Sequence, residues 1–244
     1  MGYRLRVRRL KAEGLRLKKK SFPSALSLSF LQPFLLLYLF ASLPLSVADS
    51  SPEKLASPPI GLVDMKETLY LIPVGHVQYS LMERLAKSLQ ERFNITCKIS
   101  TEFQIPPEAY DRKRDQFYSS IILKRLKDFP LQTDSILKLG VTEHDLYVPS
   151  LNFVFGEARP EDGIAIISLQ RLRQEYYGLD ENEEKLHRRM VTEGIHELGH
   201  VYGLMHCSNP KCVMFFSNTL ADTDKKSDKF CEKCGKVFEK TEKK

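Results

Sequence analysis

The sequence predicts an α/β fold: a compact domain with a twisted, mixed sheet of about five strands, three main helices and a small C-terminal part. Three observations carry this. Short apolar runs of strand length alternate with amphipathic segments of helical period. The first three such segments run strand, helix, strand, the order of a βαβ unit with parallel strands. The last forty residues have little periodicity and hold four clustered cysteines, so they need a source of order other than a core.

The elements follow in order. Leu69–Val74 is a short apolar run and reads as a buried strand. Over 78–93, Leu81, Leu85, Leu89 and Phe93 recur four apart and mark one helix face. Ile95–Ile99 reads as a second strand. Residues 115–127 read as a helix ended by Pro130. Ile136–Val141, Leu151–Phe155 and Gly163–Ser168 read as further strands. The strongest helix is 182–202, where Leu186, Met190, Val191, Ile195, Leu198 and Tyr202 form a broad apolar face. Gly203 is placed to stop it, because glycine accepts the left-handed conformation.

Hydrophobic residues make up 42% and charged residues 28%, a globular balance that excludes wholesale disorder. No apolar run reaches the ~18–20 residues of a spanning helix, so no stable membrane span is expected. The net charge is +6, but residues 1–20 carry nine Lys/Arg and one Glu, and the remaining residues sum to −2. A broad nucleic-acid surface is therefore not expected. Residues 1–64 form a leader: a basic start, an apolar stretch from Phe22 to about Val47, small residues at Ser46–Ala48, and a polar linker. That is the layout of an exported signal peptide. The competing reading, preferred because a reduced Cys₄ site sits more comfortably inside a cell, starts the chain at Met65, with 1–64 an upstream-start artefact and the protein cytoplasmic. Asn94–Thr96 matches a glycosylation sequon and reads as coincidence.

The chemistry lies in His196-Glu197-Leu198-Gly199-His200-Val201-Tyr202-Gly203-Leu204-Met205-His206. Histidines four apart on a helix project from one face, one turn from each other. Two such imidazoles can share a Zn²⁺, and a turn at Gly203 can return His206 as a third ligand. Three ligands leave one position for water, the requirement of a catalytic zinc. Glu197 stands beside the first ligand, where it can reach that water as general base. Accidental matches to this pattern number on the order of 10⁻⁵ per chain; three unrelated histidines are the bland alternative. Cys207, Cys212, Cys231 and Cys234 fall within 28 residues. Four thiolates can surround a second, structural zinc with no open position. Two disulfides are the alternative, favoured only by export.

The zinc motif running directly into C-x₄-C-x-M and closing in CxxC resembles the archaemetzincins, a family of the metzincin clan of zinc metallopeptidases. The resemblance spans residues 65–244 and includes Leu151–Ala158, which looks like the family's substrate-side edge strand. Sixteen residues separate Met214 from Cys231; a departure from the family's usual count there falls in a lysine-rich loop. The resemblance implies a metzincin-like domain, with the sheet and HExxH helix over 65–203. Residues 204–244 would bring the third histidine, a zinc-stabilised subdomain and Met214 in the Met-turn beneath the catalytic metal. It also implies two zinc ions per chain and a peptide or protein substrate lying between the metal and the edge near Phe153–Glu157.

The expected activity is therefore zinc-dependent peptide hydrolysis, by a monomer. The main rival is a zinc-bearing peptide- or protein-binding module with little or no turnover. Retention of Glu197 favours the enzyme, since a binding site could lose it and keep zinc. A second rival makes the cysteine segment a zinc-ribbon contact to nucleic acid, but stacking residues are sparse there. Elsewhere, Cys97 reads as a small buried hydrophobe, and His76, His144 and His187 as packing or solvent histidines. Arg171 and Arg173 read as structural ion-pair partners, and the lysines of 225–244 as a solvated tail.

Overall fold

The structure, a computed structural model, describes residues 67–131 and 137–241. The leader expectation for 1–64 lies outside the described residues. The chain order is β1 (Thr68–Pro73), α1 (Tyr79–Phe93), β2 (Thr96–Ile99), β3 (Tyr110–Asp111), β4 (Gln116–Tyr118), α2 (Ser119–Leu126), β5 (Leu137–Thr142) and β6 (Leu146–Tyr147). It continues with β7 (Gly156–Arg159), β8 (Ile164–Ser168), α3 (Glu183–Val201), α4 (Leu220–Lys225) and α5 (Glu232–Thr241).

The main sheet has the order β2-β1-β5-β8-β7. Its first four strands run parallel, and β7 pairs antiparallel with β8 at one edge. Both faces are covered, so the strands are apolar on both sides. Leu69, Leu71, Leu139, Val141, Ala165 and Ile167 point towards α1 and α3. The alternate residues Tyr70, Ile72, Ile164 and Ile166 share the second core with Ile122, Leu123 and Leu126 of α2. A three-stranded sheet, β3-β4-β6, stands beside this framework.

Helix α1 buries Leu81, Leu85, Leu89 and Phe93, the face its spacing predicted, together with Met82. Asn94, the first residue of the sequon, caps this helix in a left-handed conformation. Helix α3 starts where the Asn182 side chain accepts the Lys185 N–H at 2.8 Å. It ends in a Schellman motif at Gly203, whose φ is +82°. There Gly203 N–H donates to His200 O at 2.8 Å and Leu204 N–H to Gly199 O at 2.9 Å.

Three expectations need correction. The segment 115–127 is not one helix: Asp115 has φ +55°, Gln116–Tyr118 form β4, and α2 begins only at Ser119. The extended residues before Ser119 are taken by pairing with β3 and β6. The strand expected at 151–155 forms instead at Gly156–Arg159. The Leu151 and Asn152 carbonyls accept from the Arg114 and Gln116 side chains rather than from a ladder. Val154 makes one isolated bridge to Leu146. The C-terminal segment is also more regular than expected. Helix α4 opens with a capping box between Thr219 and Asp222. Helix α5 packs Phe238 against Phe93, Tyr202 and Phe230, with ring centroids 5.0–5.7 Å apart.

Candidate metal centres and active site

Helix α3 carries His196 and His200 on one face, and the turn at Gly203 returns the chain so that His206 meets them. One ligand nitrogen from each lies within 4.8 Å of the others. His196 Nδ1 donates to Val213 O and His200 Nδ1 to Leu204 O, both at 2.7 Å. A carbonyl can only accept, so each Nδ1 carries the proton and each Nε2 presents a lone pair. Those two Nε2 atoms face each other at 3.2 Å. Two nitrogens on one tetrahedral zinc, each at ~2.05 Å, would stand about 3.3–3.4 Å apart. The donor set fits one zinc. Burial holds all three imidazoles below the ordinary histidine range, His196 far below it, with nearby Lys226 adding to the effect. Neutral imidazole is the ligating form.

Glu197 is buried against the start of the edge strand. A Cβ on Gly156 would stand 2.5 Å from Glu197 Oε1 and 2.7 Å from Ile166 O, so only glycine leaves room for this carboxylate. Burial and the neighbouring Glu193 push the Glu197 carboxyl well above its usual range, and Lys226 opposes them. Met214 is fully buried under the same helix, where a Cβ on Gly199 would come within 2.5 Å of its sulfur.

The cysteine quartet offers ligand atoms within 4.8 Å of one another. Cys207 and Cys231 sulfurs are 3.7 Å apart. Two sulfurs on one tetrahedral zinc at ~2.3 Å would stand about 3.8 Å apart, whereas a disulfide needs about 2.05 Å. The cysteines are free thiols. The Cys231 thiol is lowered to about 7, chiefly by the Cys234 backbone N–H. The two donor sets are joined: Cys207 follows His206, Cys207 N–H donates to Met214 O at 2.8 Å, and Val213, whose carbonyl holds His196, lies between Cys212 and Met214.

Of the other residues singled out from sequence, Cys97 is only half-buried on edge strand β2, and burial pushes its thiol up to about 11. His76 is exposed, His144 packs on Phe117 at 4.7 Å, and His187 meets Ser88 at 3.3 Å. Arg171 and Arg173 are bidentate partners of Asp145 and Glu143, as expected.

The sequence reading missed Glu193 and Lys226. Lys226 is no part of a solvated tail: its side chain is wholly buried, 3.0 Å from Glu193 Oε1. Glu193 also accepts from Thr223 Oγ1 at 3.0 Å and lines the cleft with His196 and Glu197. A charged residue one turn before Glu197, on the buried face of α3, was the available signal. Arg189, also buried, makes two 2.7 Å bonds to Asp224. Together these ties dock α4 on α3.

Comparison with known proteins agrees with this geometry. The model of Peptidase family M54 matches residues 80–240. An archaemetzincin of Methanocaldococcus jannaschii is 48% identical over 167 residues, covering 68% of this chain and 90% of that protein. The crystal structure of archaemetzincin from Methanopyrus kandleri superposes with a TM-score of 0.66 at 32% identity, covering 76% of this chain and 99% of that one. A zinc-dependent peptidase from Methanocorpusculum labreanum superposes with a TM-score of 0.64 at 32% identity, covering 70% and 99%. Among the described residues no helix is long and apolar enough to cross a membrane. A family model over most of the chain, and relatives matched over nearly their whole length, make this chain a member of peptidase family M54, the archaemetzincins, and a zinc metallopeptidase.

Proposed function

We propose that His196, His200 and His206 hold a catalytic zinc, that Glu197 is the general base, and that Cys207, Cys212, Cys231 and Cys234 hold a second, structural zinc. The facing Nε2 atoms of His196 and His200, each with its Nδ1 tied to a carbonyl, carry this reading. Zinc bound there supplies a Lewis acid for the scissile carbonyl and lowers the pKa of a water towards ~7. Glu197 takes the proton from the attacking water and delivers it to the leaving amine nitrogen. Its contact with Gly156 fixes the carboxylate between α3 and the edge strand. Among the described residues strand β7 has one free edge in the sheet order, where an extended peptide could add main-chain hydrogen bonds and bring one carbonyl beside the histidine triad.

The test is cleavage of a broad peptide library by the zinc-loaded full chain, read by mass spectrometry, with Glu197→Gln as control. Cleavage by the wild type alone is expected. Absence of cleavage with two zinc ions bound per chain would overturn turnover in favour of a peptide-binding module.

A further inference from the structure

The cleft lined by His196 and Glu197 has a volume of about 170 Å³. Its walls are aromatic, from Phe153 and Phe155 on one side and Phe216 on the other, yet it also has polar lining from Glu193, Ser217 and Asn152. Both walls are held before any ligand arrives. On one side Arg114 binds the Leu151 and Asn152 carbonyls, Gln116 binds Asn152 O at 2.9 Å, and Arg171 stacks over Phe153 at 4.3 Å. On the other, Phe216 packs against His206 at 4.8 Å, and the capping box at Thr219 starts α4 just beyond Asn218.

Two polar groups in this cavity are of special interest. Ser217 Oγ is buried and has no hydrogen-bond partner among the described residues. A buried hydroxyl without a partner is costly, so its presence here points to a partner that arrives with the ligand. Glu193 is 2% exposed and carries a compensated charge, because Oε1 already meets the Lys226 ammonium and the Thr223 hydroxyl. Glu193 therefore adds polarity to the cavity without a net charge, and Glu197 is the other carboxylate of the lining. In size, a cavity of ~150 Å³ accepts one benzene ring, so about 170 Å³, which includes the space beside His196 and Glu197, holds no more than one ring-sized side chain.

We propose that this cavity selects a substrate side chain made of one aromatic ring with a hydrogen-bonding tip, tyrosine among the natural residues, with Ser217 and Glu193 as the specificity-determining groups. The proposal rests on the peptidase reading and names its substrate class. A site that hydrogen-bonds a substrate hydroxyl discriminates strongly against the analogue lacking it, because its own buried polar groups are then left unpaired. Phenylalanine fills the aromatic part and leaves Ser217 unpaired. Lysine and arginine meet Glu193 already paired with Lys226 and would have to take Glu197, the carboxylate the hydrolysis itself uses.

The test uses peptides identical except for Tyr, Phe, Leu or Lys at each position flanking the scissile bond. The zinc-loaded full chain is expected to show a Tyr-to-Phe ratio in kcat/KM of about tenfold or more at one flanking position. Ser217→Ala should bring that ratio to within about twofold of one. The same peptides are titrated against the zinc-loaded Glu197→Gln variant by calorimetry, which reads binding without turnover. Turnover with equal use of Tyr and Phe, or with preference for Lys, overturns the proposal and leaves the peptidase intact. Tyr-selective binding without turnover by the wild type overturns the peptidase and leaves the cavity proposal standing. No binding of any peptide overturns both.

Discussion

Replacing Cys231 by serine should weaken zinc binding at the histidine site, although Cys231 is not one of its ligands. The structure supplies two routes. Cys207 is bonded to the third histidine, His206, and its N–H holds Met214 O at 2.8 Å. Val213, between Cys212 and Met214, gives its carbonyl to His196 Nδ1 at 2.7 Å, and its own N–H donates to Lys229 O at 3.0 Å. A cage that loses a thiolate frees both the residue after His206 and the carbonyl that orients His196. Loss of such an outer partner costs ~10–100-fold in metal affinity. With two of three ligands affected, we expect the upper part of that range, about 2–3 kcal/mol at ~1.4 kcal/mol per tenfold. The assay is competition with a chromogenic chelator, resolving two sites per chain, with circular dichroism to show that the fold persists. Cys97→Ser is the control, because Cys97 lies on β2, outside both donor clusters. A histidine-site affinity within twofold of wild type after the cysteine-site metal is lost would refute the coupling.

Other outcomes follow from the same contacts. Gly156→Ala should reduce kcat/KM at least 100-fold with zinc content unchanged, because its Cβ would meet both Glu197 and the immovable Ile166 carbonyl; activity within tenfold of wild type would show that the carboxylate has another place to sit. Lys226→Met should cost ~3–5 kcal/mol in urea unfolding, because it strands Glu193 as a buried charge, and adding Glu193→Gln should recover part of that loss. A loss below about 1 kcal/mol would mean that the pair is not isolated from water. Asp224 is held below the usual carboxylate range, chiefly by its hydrogen bonds from Arg189. Its contribution is therefore full above the unfolded value near 3.9 and is lost as pH falls through the lower folded value. The stability gap between wild type and Asp224→Asn should shrink on acidification, and a gap independent of pH would contradict the pairing.

What the sequence made legible follows the range of the interactions involved. Strands β1, β5 and β8 and helices α1 and α3 are read correctly because each buries enough apolar surface for its own period to dominate. The failures come where a distant partner decides. Residues 116–118 carry no strong local preference, and pairing with β3 and β6 makes them a strand. Phe153 and Phe155 look like one face of a strand, but Phe155 enters the core beneath α3 and Phe153 walls the cleft. The ladder starts one residue later, at the glycine that accommodates Glu197. Helix α4 did leave a local mark, since Thr219 and Asp222 stand three apart, but a six-residue helix has too short an apolar period to stand out.

The site shows the same division. The donor residues of both clusters can be named from spacing because a helix turn and a tight loop fix their geometry locally. The residues that prepare their surroundings cannot. Lys226 lies in the run Asp224-Lys-Lys-Ser-Asp-Lys229, which reads as solvent-exposed, and it is buried only because Glu193, 33 positions earlier, receives it. A buried lysine without that carboxylate would carry a large desolvation cost, and Glu193 without the lysine would stand as a second uncompensated carboxylate one turn from Glu197. The pair therefore lets α3 carry two acidic residues on its buried face while, among the described residues, Glu197 has no ion-pair partner in contact. It also ties α4, and with it the wall at Phe216–Asn218, to the helix that bears the histidines. In this fold the wall at Phe216–Asn218 and the helix that bears the histidines are fastened by the same buried charge pair, so, on the proposed reading, a change at position 193 or 226 should alter peptide selection and stability together.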